Sequence, residues 1–201
     1  MAASVKVEDG RTIKYLDQDQ VRRFFQAIPA ENVRDRLLFG FIYRFGMRVS
    51  EAVELPVDAV DRSKAEVTIQ GLKGGLLRTY TIPRDLRPLV RKWKPEGETF
   101  FRGRQGPLTR VRVWQLFRGY ARSAGLPLSK QKDKSKGYNV HSLRHSAAVH
   151  ALDAGLATED VRDLLRHKRL ATTDVYANLS TKRRNDYLAR LEKSDAVVKL
   201  R

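Results

Sequence analysis

The sequence predicts a mainly α fold with a small antiparallel β-sheet, of the α+β class. Three observations carry that expectation. Apolar residues recur at helical spacing through most of the 201 residues, two short β-rich runs flank a glycine-rich pentapeptide, and apolar residues make up 41% of the chain, enough to build a core.

Residues 1–13 (MAASVKVEDGRTI) are polar with little periodicity and read as an N-terminal tail or a docking arm. Asp17 followed by Gln20 resembles a capping box, and Val21, Phe24, Phe25 and Ile28 then keep helical spacing, which predicts a helix over 18–27. A second helix over 31–45 places Leu37, Leu38, Phe41, Ile42 and Phe45 on one face and closes at Gly46. Ser50 reads as the N-cap of a short helix, EAVEL, ended by Pro56, so Arg48 falls in a tight connection. The runs 65–70 (AEVTIQ) and 76–83 (LLRTYTIP) form a hairpin around GLKGG, with Lys73 at its tip. Helices are expected over 84–92 and 109–123, the latter using Val111, Trp114, Leu116 and Phe117 for core and its basic residues for an exposed face. The loop LPLSKQKDKSKGYN is too polar for core. Helices follow over 142–154 and over 159–166 with Thr158 as N-cap, then a turn at 171–177 and an amphipathic helix over 181–192 carrying Tyr187, Leu188 and Leu191 on one face. No internal repeat is present, and residues 194–201 read as a C-terminal tail.

Forty Lys and Arg stand against 23 Asp and Glu, a formal charge of +17 that points to a polyanionic partner, nucleic acid ahead of a membrane surface. The excess is clustered: between residues 102 and 136 ten cations (Arg102, Arg104, Arg110, Arg112, Arg118, Arg122, Lys130, Lys132, Lys134, Lys136) meet one acid, Asp133. Such a stripe suits a phosphate backbone. Without cysteine the chain has neither a disulfide framework nor a thiolate metal site, and without a long apolar run it offers no membrane span or secretion signal. A cytoplasmic protein is expected.

Three of the four histidines fall within HSLRHSAAVH, with His141 and His145 at i,i+4. A metal site is not expected there: Leu143 and Arg144 stand where zinc-hydrolase helices carry a carboxylate, and a fixed cation beside a divalent ion is unfavourable. His141 and Arg144, at i,i+3, instead share one face near a helix N-terminus, where unpaired N–H groups and the macrodipole favour an anion. The competing reading pairs Arg144 with an acid such as Asp163 and leaves His141 as a cap.

Downstream stand His167 and, nine residues later, Tyr176; upstream are Arg48 in RVSEAVEL and Lys73. The order Arg48, Lys73, His141-x-x-Arg144, His167, Tyr176 resembles the catalytic domain of the tyrosine recombinase (phage integrase) family over about residues 14–193, with matching intervals of 25, 23 and 9 residues from Arg48 to Lys73, Arg144 to His167 and His167 to Tyr176. The chain departs from the family where Arg166 replaces the Gly usual before the second histidine, which marks Arg166 as a DNA contact or a site of altered backbone. No room remains in these residues for the N-terminal core-binding domain of most members; in this the chain resembles the short recombinases that invert promoters and equally a catalytic piece of a longer enzyme.

The resemblance implies a tyrosine recombinase catalytic-domain fold and strand transfer on duplex DNA through a 3′-phosphotyrosine, with no metal or ATP. Arg48 and Arg144 would stabilise the charge on the non-bridging oxygens, and His141 and His167 would add donors or accept a proton, their ordinary pKa of about 6.5 lying near neutrality. Tyr176 would be the nucleophile, its phenol needing help because its ordinary pKa is about 10, and Lys73 the general acid for the leaving 5′-oxygen. Glu51 reads as a support that orients Arg48. DNA contacts are expected from Arg110, Arg112, Arg118, Lys130, Lys132, Lys134, Arg166 and Lys168. The resemblance further implies a homo-oligomer, dimer to tetramer, on double-stranded DNA, with accessory DNA-bending proteins as possible partners. Two alternatives stay open: a type IB topoisomerase-like nicking-closing enzyme, and a non-catalytic DNA-binding regulator derived from a recombinase.

Overall fold

In the computed structural model, residues 4–6, 12–72, 75–104, 106–129 and 137–167 are described. The chain opens with β1 (Ser4–Lys6) and β2 (Thr12–Lys14), paired antiparallel with Val5 opposite Ile13. Ile13 is buried against Ala148, Val149, Leu152, Val161 and Leu165, so the described part of the N-terminal segment is tied into the fold, unlike a tail.

Helix α1 (Gln18–Gln26) starts with the anticipated reciprocal cap: the Gln20 N–H donates to Asp17 Oδ1 at 2.8 Å and the Asp17 N–H to Gln20 Oε1 at 3.0 Å. Helix α2 (Val33–Arg44) buries Leu37, Leu38, Phe39, Phe41 and Ile42, more than a single face, because it runs through the middle of the main core. Around it Phe24 meets Phe39 and Phe117 at 5.2 Å, and Phe41 meets Phe101 at 5.6 Å. Helix α3 (Val49–Val53) begins one residue past Arg48, which is its N-cap, so Ser50 lies inside the first turn and does not cap it.

The sheet that follows has three strands in the order β3-β4-β5, all antiparallel: β3 (Val60–Asp61), β4 (Glu66–Gln70) and β5 (Leu77–Thr81). The two-residue β3 has no periodicity to reveal it in sequence. Helix α4 (Arg87–Lys92) follows, then a small hairpin of β6 (Arg102–Gly103) and β7 (Gly106–Pro107), so the described residues contain three small sheets where one was expected.

Thr109 caps α5 (Arg110–Ser123) by accepting from the Arg112 N–H at 3.1 Å. From that start the helical period buries Val113, Phe117 and Ala121, while Val111 (64% exposed) and Trp114 (36%) face outward with Arg110. This corrects the expectation that Val111 and Trp114 serve the core. Helix α6 (Val140–Asp153) joins two hydrophobic clusters, giving Val140 and Leu143 to the main one and Ala148, Val149 and Leu152 to the one under β2. Helix α7 (Thr158–Leu164) packs on α6 through Val161 and begins after Ala157, so Thr158 is its first residue, not its cap.

Because α6 is enclosed on most sides, its polar residues must find partners inside. Ser146 Oγ donates to the Ser142 carbonyl at 2.8 Å and accepts the Leu16 N–H at 2.8 Å, fastening the helix to the chain start. Among the described residues no helix is long and apolar enough to cross a membrane.

Candidate active site

At the end of α2 the chain turns through Gly46, whose φ of +55° is the left-handed region that suits glycine. A Cβ there would lie 2.5 Å from Leu165 Cδ2, so a larger residue requires the buried Leu165 side chain to shift. Past the turn, Arg48 enters α3 and Glu51 stands one turn on. Glu51 Oε2 accepts the Arg48 backbone N–H at 2.8 Å and Oε1 accepts Arg48 Nη1 at 2.8 Å, so one carboxylate fixes both the start of α3 and the guanidinium.

The second arginine comes from α6. Asn139 caps that helix, its Oδ1 accepting the His141 N–H at 2.8 Å, which sets His141 in the first turn and Arg144 three residues on. Arg144 is fully buried. Its Nη1 donates to the Gly46 carbonyl, its Nη2 to the Leu165 carbonyl at 2.8 Å and to His167 Nε2 at 2.9 Å. A guanidinium only donates, so Nε2 of His167 is the acceptor and that ring is neutral with its proton on Nδ1. The carboxylate near Arg144 is Glu51, at 3.7 Å, and not Asp163, which instead pairs with Arg78 and Arg162.

Arg166, expected as a DNA contact or a site of altered backbone, does not lie on the surface: its side chain and that of Glu51 are both 0% exposed. Arg166 has a φ of +55°, which for a residue with a Cβ costs on the order of 1–2 kcal/mol. The conformation turns the side chain inward. Nη2 donates to Glu51 Oε2 at 2.9 Å and to the Gly46 carbonyl at 3.2 Å; Nη1 donates to the Phe45 carbonyl at 3.0 Å, the Leu164 carbonyl at 2.8 Å and Tyr80 Oη at 2.9 Å. Tyr80 Oη itself donates toward the Asp163 and Leu164 carbonyls, both at 3.2 Å, linking β5 to the end of α7.

Among the described residues, three guanidiniums therefore share one carboxylate. Burial alone would push the Glu51 carboxyl up, but the Arg166 charge, the Arg48 N–H, Arg144 and the Arg48 side chain together hold it below the usual carboxylate range. The histidines respond oppositely. Burial first, then the Arg144 and Arg48 charges, push His167 down to about 3 and His141 down to about 4. His141 keeps an exposed edge, so water tempers its desolvation, and the direction is what matters: both rings are neutral at pH 7. His145 is held down to about 3 by burial and by His141, whose ring centroid lies 4.5 Å away. His150 belongs elsewhere, its Nδ1 2.8 Å from Tyr43 Oη. Arg48, with 31% of its side chain exposed, and His141 form the open rim, while Arg144 and His167 lie beneath. The result is a cationic site short of negative charge, at a helix N-terminus.

Arg48, His141, Arg144 and His167 are thus brought together; Lys73, Tyr176, Lys130, Lys132, Lys134 and Lys168 lie outside the described residues, as do the turn over 171–177 and the helix over 181–192. On α5, Arg110 and Arg112 are exposed, whereas Arg118 is partly engaged, donating to the Ser129 carbonyl at 2.8 Å with its guanidinium 4.9 Å from the Trp114 ring centroid. Sequence reasoning missed Tyr80, although strand alternation in LRTYT already puts Arg78 and Tyr80 on one face. Among the described residues no cluster of three or more His, Cys, Asp or Glu could hold a metal ion.

The pattern of the phage integrase family matches residues 14–183. The chain belongs to that family. Among its relatives in the phage integrase family, tyrosine recombinase XerA of Pyrococcus furiosus is 30% identical over 177 residues, which cover 84% of this chain and 58% of that protein. The chain thus spans somewhat over half the length of this relative. A crystal structure of a XerA recombinase superposes with a TM-score of 0.72 at 20% identity, over 88% of this chain and 64% of the other. XerH site-specific recombinase, solved bound to its difH substrate before cleavage, gives 0.67 at 21% identity, over 87% and 53% of the two chains. These likenesses establish the tyrosine recombinase catalytic-domain fold.

Proposed function

We propose that this phage integrase family chain is the catalytic part of a site-specific DNA recombinase, cleaving and rejoining duplex DNA through a 3′-phosphotyrosyl link to Tyr176. The observation that carries the reading is the balance of charge among the described residues of the site. Arg48, Arg144 and Arg166 outnumber Glu51, and the flanking histidines are neutral. Buried surplus positive charge is unfavourable until an anion arrives. A scissile phosphate is such an anion, and its charge grows as phosphorus becomes five-coordinate, so fixed guanidiniums favour the transition state over the ground state.

In this scheme the phosphate first meets Arg48 and His141 at the rim. Arg144 then exchanges its bonds to the Gly46 and Leu165 carbonyls for stronger, charge-assisted bonds to a phosphate oxygen. Tyr176 Oη attacks phosphorus, its proton passing to a neutral histidine or to water. The bond from phosphorus to the 5′-oxygen breaks, and that oxygen takes a proton from Lys73. Attack by a 5′-hydroxyl reverses the step, so exchange of strands needs no external energy. Arg110 and Arg112 on α5, with the lysines of the 130–136 loop and Lys168, would hold the backbone of the same duplex. XerH, solved on its difH substrate, supports binding of duplex DNA; assembly there as a dimer to tetramer and work in the cytoplasm with accessory DNA-bending proteins complete the reading.

The test is a nicked duplex that loses its 5′-hydroxyl strand after cleavage and so traps the covalent intermediate. The intact chain should form a protein–DNA adduct and Tyr176→Phe should bind the duplex normally yet form none. An adduct persisting in Tyr176→Phe would overturn the assignment. Joining of the trapped strand to a different incoming partner separates recombination from simple nicking and closing.

A further inference from the structure

We propose that Arg166 is a positioning residue of the strand-cleaving site: it holds Glu51 aligned on Arg48 and ties that carboxylate to β5. The inference rests on the reading of the Arg48 cluster as the cleavage site.

Three features carry it. First, Arg166 and Glu51 are both sealed from solvent and meet at 2.9 Å across 115 positions of sequence, a contact that an exposed basic residue has no reason to make. Second, the fork of Arg166 reaches Phe45 and Gly46 before Arg48, Glu51 in α3, Leu164 at the end of α7 and Tyr80 in β5. Only a planar guanidinium spans so many acceptors. Third, Arg166 sits on the same Glu51 oxygen that receives the Arg48 backbone N–H, and Arg144 stays 3.7 Å from that oxygen, beyond hydrogen-bond distance. Without Arg166, Glu51 would be balanced by the two arginines proposed to hold the phosphate, and each would be drawn toward it.

A purely structural brace and a positioning residue differ in pH dependence. The groups facing Glu51 are Arg48 from its own turn, Arg144 and His141 from α6, Arg166 and His167 from the segment after α7, and Tyr80 from β5. Removing Arg166 takes away the charge that most opposes the effect of burial on Glu51, so its carboxyl protonates at higher pH. Once protonated, it no longer holds Arg48 by a charged bond.

The experiment compares the full chain with Arg166→Gly and Arg166→Lys. Glycine suits the φ of +55° at this position, so the backbone there is relieved, not strained. Single-turnover formation of the covalent adduct is followed at saturating nicked duplex from about pH 3.5 to pH 8, a span that starts below the ordinary glutamate value of about 4.3. Arg166→Gly should lower the rate on the order of a hundredfold, the scale of a misplaced catalytic group, with unchanged duplex affinity and with the acid limb of the profile moved to higher pH. Arg166→Lys, keeping the charge without the fork, should restore the limb and only part of the rate. In parallel, carboxyl carbon-13 NMR of glutamate-labelled protein, with Glu51 assigned through Glu51→Gln, should show Glu51 titrating higher in Arg166→Gly. A uniformly lower rate with the acid limb in place would make Arg166 a brace, and an unchanged Glu51 titration would overturn the proposal outright. Weaker duplex binding with an unmoved limb would return Arg166 to DNA contact. If the unaltered chain forms no adduct, the recombinase reading fails, while the NMR titration still decides whether Arg166 governs Glu51.

Discussion

Replacing Gly46 by alanine tests the turn on which the site is built. Two penalties add. The left-handed φ of +55° costs a residue with a Cβ on the order of 1–2 kcal/mol. The new Cβ would also stand 2.5 Å from Leu165 Cδ2 in a packed core, and relieving such overpacking costs about 1–3 kcal/mol. Gly46→Ala should therefore lose about 2–5 kcal/mol, which for a chain of this size lowers Tm by about 4–20 °C at roughly 2–4 °C per kcal/mol. Urea titration should show an earlier midpoint at an unchanged slope. The decisive form is a double-mutant cycle with Leu165→Ala. Leu165→Ala alone opens a cavity costing about 2–5 kcal/mol, but it also makes room for the alanine, so the pair should cost less than the sum by about 1 kcal/mol or more. Additivity within about 0.5 kcal/mol would refute the packing argument and leave backbone conformation as the whole effect. Because the Gly46 carbonyl accepts from both Arg144 and Arg166, adduct formation should fall by more than the loss of folded protein explains.

Acid should destabilise the fold before its carboxylates are generally protonated. His141, His145 and His167 titrate lower in the folded chain than their ordinary 6.5, so below that pH the unfolded chain binds more protons and stability falls as pH drops; Glu51, held low, adds a further loss below its ordinary 4.5. Denaturation midpoints at about pH 7.5 and pH 5 should show the decline, and His167→Gln should flatten it; equal midpoints would contradict the burial of these rings. On α5, Arg110→Ala and Arg112→Ala should each weaken duplex binding evenly across sequences and reduce the salt slope by about one, whereas loss at one sequence only would mark a base contact. Tyr120 Oη donates to the buried Asp35 carboxylate at 2.6 Å, so Tyr120→Phe should cost about 1–3 kcal/mol in urea titration, and a neutral result would mean that Asp35 is satisfied by Arg34 alone.

The parts of the fold legible in sequence are those whose causes are local. The Asp17–Gln20 cap, the helical periodicity of α1 and α2, the turn at Gly46 and the β4–β5 hairpin all follow from residues within a few positions of one another. Family spacing likewise grouped Arg48, His141, Arg144 and His167. Long-range partners decided the rest. Arg166 lies in LLRHKR, a run that reads as exposed, and only Glu51 and the carbonyls before Arg48 explain its burial. Val111 and Trp114 have the composition of core residues, but α5 packs through the i, i+4, i+8 face of Val113, Phe117 and Ala121, which leaves them outward. Helix α6 has almost no amphipathic signal because both of its faces are covered, by two clusters that meet only in three dimensions.

The arrangement also shows why a single acid suffices. If each of the three arginines had its own carboxylate, the site would be neutral and a phosphate would have to displace an equally charged partner. If Glu51 were absent, the two buried guanidiniums and Arg48 at the rim would repel one another with few acceptors, and folding would bear the desolvation cost. One carboxylate between them, helped by the carbonyls of Phe45, Gly46, Leu164 and Leu165, leaves the cations hydrogen-bonded yet undercompensated in charge. Neutral acceptors satisfy geometry without cancelling charge, so among the described residues the field of the site survives folding and favours an incoming anion. The same logic requires the histidines to be neutral, since further positive charge would tip the balance from poised to unstable, and the Arg144 donor on His167 Nε2 enforces that state directly.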